Sequence, residues 1–168
     1  MHLALSPGSL MILAMPELIQ PDSPSLWEVA RVLVREYAAS LGVSLDFQNF
    51  DDELQHFETK YARPDGAFLL ARSGAEFLGC GALRRFSTTD CEMKRLYVRP
   101  AGRNLGLGRQ LAIALVNEAK SLGYKRMLLD TLPTMQSAQS LYKSLGFVPT
   151  EPYRYNPIEG TSFLVLNL

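Results

Sequence analysis

Histidine and cysteine are scarce in this chain. The 168 residues include two histidines, His2 and His56. Neither has partners at metal-ligand spacing, so no metal site and no Ser-His-Asp arrangement is expected. The two cysteines, Cys80 and Cys91, form no CxxC unit and are too few for a disulfide framework. They read as buried free thiols and point to a reducing, cytoplasmic setting. Net charge is missing too, since 17 Lys plus Arg face 17 Asp plus Glu. Without a one-sided field, nucleic acid is not an expected partner. No apolar run approaches the ~20 residues that cross a bilayer. The opening MHLALSPGSLMILAMP comes nearest, but it lacks a basic n-region and is broken by Ser6, Pro7 and Gly8. Repeats, low-complexity runs and linkers are absent as well. The expectation is an N-terminal tail over 1–15, a first strand near Met11 to Ile19, and a single domain over 16–168.

What is present alternates between two periodicities. SPSLWEVARVLVREYAASLG has Ser25 and Glu28 at capping-box spacing, an apolar face of Leu26, Ala30, Leu33, Tyr37 and Leu41, and Gly42 as a stop. A shorter helix is expected over Asp51 to Lys60, with His56 as a surface or packing residue, before a turn at Pro64, Asp65 and Gly66. Strands follow at 67–71, 76–83 and 91–98, close enough to form an antiparallel meander. LGRQLAIALVNEAKSLGY predicts a helix packed on the sheet, KRMLLDT a short strand, and MQSAQSLYKSLGF a helix whose face is Met135, Ala138, Leu141, Tyr142 and Leu145. The tail predicts a last hairpin. The class is α+β.

Between the third meander strand and the next helix lies VRPAGRNLGLGRQL. Glycines here either make a turn that lets the helix sit close to the sheet or bare the backbone for a ligand. Free amides at a helix N-terminus form an anion site in outline, and Arg99, Arg103 and Arg109 stand around it. The glycines alone do not decide. A dinucleotide fingerprint fits poorly, because its third glycine would fall at Leu111, and a Walker loop fails for want of Gly-Lys-Ser/Thr.

With both flanks included, CEMKRLYVRPAGRNLGLGRQL followed by MLLDTLPTMQSAQSLYKSLGF resembles the GNAT superfamily of acyl-CoA-dependent N-acetyltransferases. Arg103, Gly106 and Gly108 match its R/Q-x-x-G-x-G/A loop, and Ala138, Tyr142, Gly146 and Phe147 match its A-x-x-x-Y-x-x-x-G-F helix. The resemblance implies a mostly antiparallel, twisted sheet of six to seven strands with about four helices, splayed between the fourth and fifth strands. It implies acetyl-CoA as acyl donor and no metal. The pyrophosphate would rest on Arg103, Asn104, Leu105, Gly106, Leu107, Gly108 and Arg109, and the pantetheine arm on Leu96, Tyr97 and Val98.

The acceptor would be a primary amine of a small molecule or peptide, attacking directly in a ternary complex. An alkyl ammonium of pKa ~10.4 needs a base before it can attack, and the departing thiolate needs an acid. The resemblance gives these roles to Glu92 and Tyr142. Alternation would put Glu92 on one face with Lys94 and Leu96. The competing readings are a Glu92 paired with Lys94 or Arg95, and a Tyr142 that is simply part of the helix's core stripe. Two positions depart from the family pattern: Asn104 stands where glycine is usual, and Met135 where asparagine is usual. Arg84, Lys94 and Arg95 near Glu92 hint at an acceptor that also carries a carboxylate or phosphate, and the resemblance implies that the first two helices and EPYRYNPIEG, with Arg154, Glu151 and Glu159, would border its cleft. A homodimer is left open, as is a non-catalytic acyl-CoA-binding module.

Overall fold

A computed structural model describes residues 15–168, so most of the tail and the start of the expected first strand lie outside the described residues. Seven strands form one sheet in the order β1-β2-β3-β4-β5-β7-β6. Strands β1 (Glu17–Ile19), β2 (Ala67–Ser73), β3 (Glu76–Arg85) and β4 (Asp90–Val98) make the antiparallel meander, and β5 (Arg126–Thr131) joins β4 in parallel. The last hairpin pairs β6 (Val148–Pro149) with β7 (Ser162–Asn167), and β7 also pairs with β5.

Helix α1 (Pro24–Ser40) begins two residues earlier than the capping box suggests. Its cap is Ser23, whose hydroxyl accepts from the Leu26 amide, because Pro24 is favoured at the first helical position and shifts the start ahead of Ser25. The expected second helix is divided at His56 into α2 (Phe50–Gln55) and α3 (Phe57–Tyr61). These three helices cover one face of the sheet, with Trp27, Phe57, Tyr61 and Phe68 packed edge to face. Helices α4 (Leu107–Ser121) and α5 (Gln136–Ser144) cover the other face around Leu111, Leu115, Met127 and Leu129. Both cysteines are buried and unpaired, and burial pushes their thiols up.

Two irregularities of β4 set up the site. Its ladder with β5 runs only from Asp90↔Arg126 to Glu92↔Leu128, so the strands part from Met93 onward. Against β3 the register slips between Cys80↔Tyr97 and Ala82↔Lys94, a bulge in which Arg95 takes φ 59. The extra residue puts Lys94 and Arg95 on the same side, Lys94 reaching Gln48 just before α2 and Arg95 reaching Glu53 of α2, so Leu96 does not share a face with Glu92 as alternation would have it. Leu96 packs instead beside Gly81 and α4. A Cβ on Gly81 would come within 2.8 Å of Leu115 Cδ1, which explains the glycine opposite the bulge.

Candidate active site

A groove of about 570 Å³ opens where β4 and β5 separate. Its floor is Leu96, Tyr97 and Val98, and its end is formed by Arg103, Asn104, Gly106, Leu107 and Gly108. Asn104 and Gly106 hold φ 63 and φ 72, the left-handed region that Asn and Gly tolerate, so the asparagine serves where the family prefers glycine. The turn presents the first amides of α4, N-capped by Gly106, at the groove. Nearby glycines differ in kind. A Cβ on Gly102 would meet Leu78, Leu107 and Val98 side chains at 3.0–3.1 Å, so Gly102 answers to packing. A Cβ on Gly108 would meet nothing closer than 3.9 Å, so protein packing alone does not require glycine there. Its bare backbone faces the groove and leaves room for a close approach.

Each of the three arginines has a partner within the protein. Arg99 is turned away: its Nε donates to Glu36 of α1 at 2.8 Å and its Nη1 to the Phe77 carbonyl at 2.8 Å. Arg103 folds back, its Nε donating to the Val98 carbonyl at 3.3 Å, and Arg109 donates to Ser144 Oγ at 2.9 Å. Leu105 is half exposed and, like Arg109, lies beside the groove wall.

Adjoining the groove is a small cavity of about 40 Å³ under the gap, lined by Lys94, Leu96, Asp130, Thr131 and Tyr142 among others. Tyr142 is 7% exposed, and burial, with Tyr37 and Asp130 nearby, raises its phenol well above the usual range. It therefore stays protonated. No group among the described residues accepts from its hydroxyl, which leaves that proton available at the gap.

Glu92 occupies the last paired position before the gap and is fully buried. Its Oε1 accepts from Arg84 Nε at 3.2 Å and Arg154 Nη2 at 2.6 Å, and its Oε2 from Tyr153 OH at 2.8 Å. Lys94 Nζ lies 4.0 Å away. Glu92 lines neither the groove nor the cavity. Beside this cluster Arg95 makes a buried two-point ion pair with Glu53 of α2, and Tyr61 OH donates to the same carboxylate at 2.5 Å. Burial alone would raise the Glu53 carboxyl, but the Arg95 hydrogen bonds bring it down to about 2.

This geometry has counterparts. The model of the Acetyltransferase (GNAT) family matches residues 26–147, most of the chain. The chain belongs to the GNAT acetyltransferase family. A Schizosaccharomyces pombe protein named as an uncharacterized N-acetyltransferase is 46% identical over 140 residues, covering 82% of this chain and 86% of its own length. Another of that description, from Dictyostelium discoideum, is 29% identical over 200 residues, covering 82% of this chain and 93% of its own. Among solved structures, a Streptococcus agalactiae acetyltransferase superposes with TM-score 0.75 at 21% identity, covering 91% of this chain and 98% of that one. A GNAT acetyltransferase from Elizabethkingia anophelis, solved with acetyl-CoA bound, has TM-score 0.56 at 25% identity over 72% of this chain and 82% of its own.

As in the expected GNAT sheet, the fourth and fifth strands splay, and of the loop and strand residues named from the motif all but Leu105 and Arg109 line one groove. The sequence reading put the first helix beside the cleft without singling out the residues it supplies. Tyr37, Ser40 and Leu41 form the opposite wall, with the Tyr37 ring 6.0 Å from that of Tyr97. Their apolar spacing signalled only a core face. Within the loop expected at the cleft, Asn156 donates from its amide to Asp130 Oδ2 at 3.1 Å, a pairing that spacing did not reveal, and Glu53 was not singled out because its partner stands 42 residues away. Among the described residues, no cluster of His, Cys, Asp and Glu could hold a metal ion, and no helix is long and apolar enough to cross a membrane.

Proposed function

We propose that the chain moves an acetyl group from acetyl-CoA to a primary amine of a small molecule or peptide, by direct attack in the gap between β4 and β5. The observation that carries this reading is the bare backbone at Gly108, glycine without a packing reason at the mouth of a groove that ends on free helix amides. The acetyl-CoA held by the Elizabethkingia relative supports the donor.

In this reading the amides from Asn104 to Arg109 take the diphosphate, and Leu96 to Val98, unpaired toward β5, offer main-chain donors and acceptors to the pantetheine arm. The amine's nitrogen forms its bond to the thioester carbon as the carbon–sulfur bond breaks. Tyr142 gives its proton to the leaving sulfur. Glu92 takes the amine's proton through an intermediary, since its carboxylate reaches no cavity directly and Lys94 Nζ lies between it and the gap. The reading carries a cytoplasmic location with it, in keeping with two buried thiols left free.

A panel of amines scored by thiol release from acetyl-CoA tests it. At least one amine should accelerate release well above the rate with water alone. Acetyl-CoA binding with no amine acting would favour a non-catalytic acyl-CoA-binding module.

A further inference from the structure

A proton leaving the acceptor amine has no direct path to Glu92, which lines neither the groove nor the cavity beneath it. Lys94 does line that cavity, and its Nζ lies 4.0 Å from Glu92 Oε1. The lysine side chain is 3% exposed, and its one hydrogen bond among the described residues is donated to Gln48 Oε1 at 3.0 Å. As a neutral amine, Nζ can keep that bond and still offer a lone pair to the cavity.

The cavity itself suits water. Its volume is about 40 Å³ and one water needs about 10–15 Å³, so it has room for about three. A buried water also needs polar partners. Thr131 Oγ1 is buried without a hydrogen bond, Asp130 accepts from Asn156 on Oδ2 but has no partner among the described residues on Oδ1, and no described group accepts from the Tyr142 hydroxyl. All three residues line the cavity with Lys94.

We propose that Lys94, through water held in this cavity, takes the proton that the acceptor's ammonium must lose before it attacks. The proposal rests on the acetyl-transfer reading and names the intermediary between the amine and Glu92. A water bound to the ammonium takes one of its protons and gives one to Lys94 Nζ. The freed lone pair bonds to the thioester carbon, and the carbon–sulfur pair leaves on sulfur, which receives the Tyr142 proton. The nitrogen's second surplus proton returns through the same water to the Tyr142 phenolate. One proton is left on Lys94, where Glu92 stabilises the ammonium and then draws the proton on toward solvent.

The surroundings of Lys94 keep it ready to accept. Burial pulls its ammonium down, Glu92 opposes this, and Arg95, Arg84 and Arg154 add to the fall, leaving it at about 7. Glu53 on α2, Asp130 on β5 and the phenols of Tyr37 and Tyr142 are the other titratable groups around it. With Lys94 neutral, the formal charges of Arg84, Arg95 and Arg154 are matched by those of Glu53, Glu92 and Asp130. The resting cluster therefore holds no excess charge, and a proton on Lys94 is not retained.

Two experiments test the relay. In NMR of the full chain with ¹³C-labelled lysine, the Lys94 Cε signal, assigned by its loss in Lys94→Met or Lys94→Gln, should titrate at about 7. Titration near the ~10.4 of a free lysine would overturn the proposal. Thiol release from acetyl-CoA is then followed across neutral pH with 2-phenylethylamine, spermidine and glycinamide. For an accepted amine, wild-type kcat should rise about tenfold per pH unit below about 7 and level off above it. Lys94→Met and Lys94→Arg should lower kcat by about 10²- to 10⁴-fold and lose that bend, with acetyl-CoA affinity unchanged. The arginine keeps a long side chain but cannot accept a proton, so it separates proton transfer from packing. A wild-type pH profile that survives in Lys94→Arg would overturn the relay alone. Thiol release that no amine accelerates would remove the transfer reading and the relay with it, even where Lys94 titrates at about 7.

Discussion

The two sides of the β4–β5 gap are built from different materials. The side proposed for the donor is open, largely apolar and made of main chain: a strand edge without a partner, a left-handed turn and the amides that start α4. The side proposed for the acceptor is closed and made of side chains, six ionisable groups drawn from β3, β4, α2 and the loop before β7. A backbone site depends on a few local torsion angles and tolerates change in most side chains. A buried charge network depends on every member, because removing one leaves its partner charged and unpaired in a poor solvent. The first suits a donor common to many reactions, and the second suits selection of a particular acceptor.

That contrast can be broken from the acceptor side first. Glu92→Gln should lower turnover by about 10²- to 10⁴-fold, the usual worth of a positioned acid or base, while acetyl-CoA affinity measured by calorimetry stays the same. A loss of both together would mean the two sides are not separable. Next in size, Glu53→Ala should destabilise the fold by about 3–5 kcal/mol in urea unfolding, since it strands the Arg95 guanidinium in the interior. Tyr61→Phe, which removes a single donor to Glu53, should cost only about 1 kcal/mol.

The donor side should respond in the opposite manner. Gly108→Val should weaken acetyl-CoA binding by at least about tenfold through a clash with the ligand, and Gly108→Ala should leave the apo melting temperature equal or higher, because alanine is the better helix former. A large fall in apo stability would assign the glycine to packing.

A pH-dependent effect, at most about 1.4 kcal/mol for each pH unit, sharpens the electrostatic half of the comparison. Folded Lys94 titrates at about 7, below the ~10.4 of an unfolded chain. Between those values the unfolded state holds a proton that the folded state lacks, so stability attributable to Lys94 rises with pH. Wild type should therefore gain on Lys94→Met from pH 7 to 10, by at most about 1.4 kcal/mol per pH unit. A constant difference would mean that Lys94 is charged throughout.

The same contrast explains what could be read before any coordinates. The donor side was legible because its chemistry is local: Asn104, Gly106 and Gly108 lie within five residues, and their need for unusual torsions or a bare backbone is written in residue type. The order of elements was legible for a similar reason, through periodicity and glycine stops at Gly42, Gly123 and Gly146. The acceptor side was not. Glu53 meets Arg95 across 42 residues, and Arg154 meets Glu92 across 62, separations that no spacing rule covers. Arg99 looked like a phosphate ligand because it adjoins the loop, yet Glu36 on α1 claims it. The bulge at Arg95 carries no marker such as glycine, so period-two alternation misplaced Leu96.

The central claim is that free main-chain donors at the start of α4 hold acetyl-CoA so that its thioester lies where β4 and β5 part. A crystal structure of the protein with acetyl-CoA tests this most directly. The account predicts the diphosphate within hydrogen-bond distance of the amides between Asn104 and Arg109, and the acetyl group between Leu96 and Thr131. Density for the ligand elsewhere, or a saturated crystal in which that groove stays closed against protein, would contradict it.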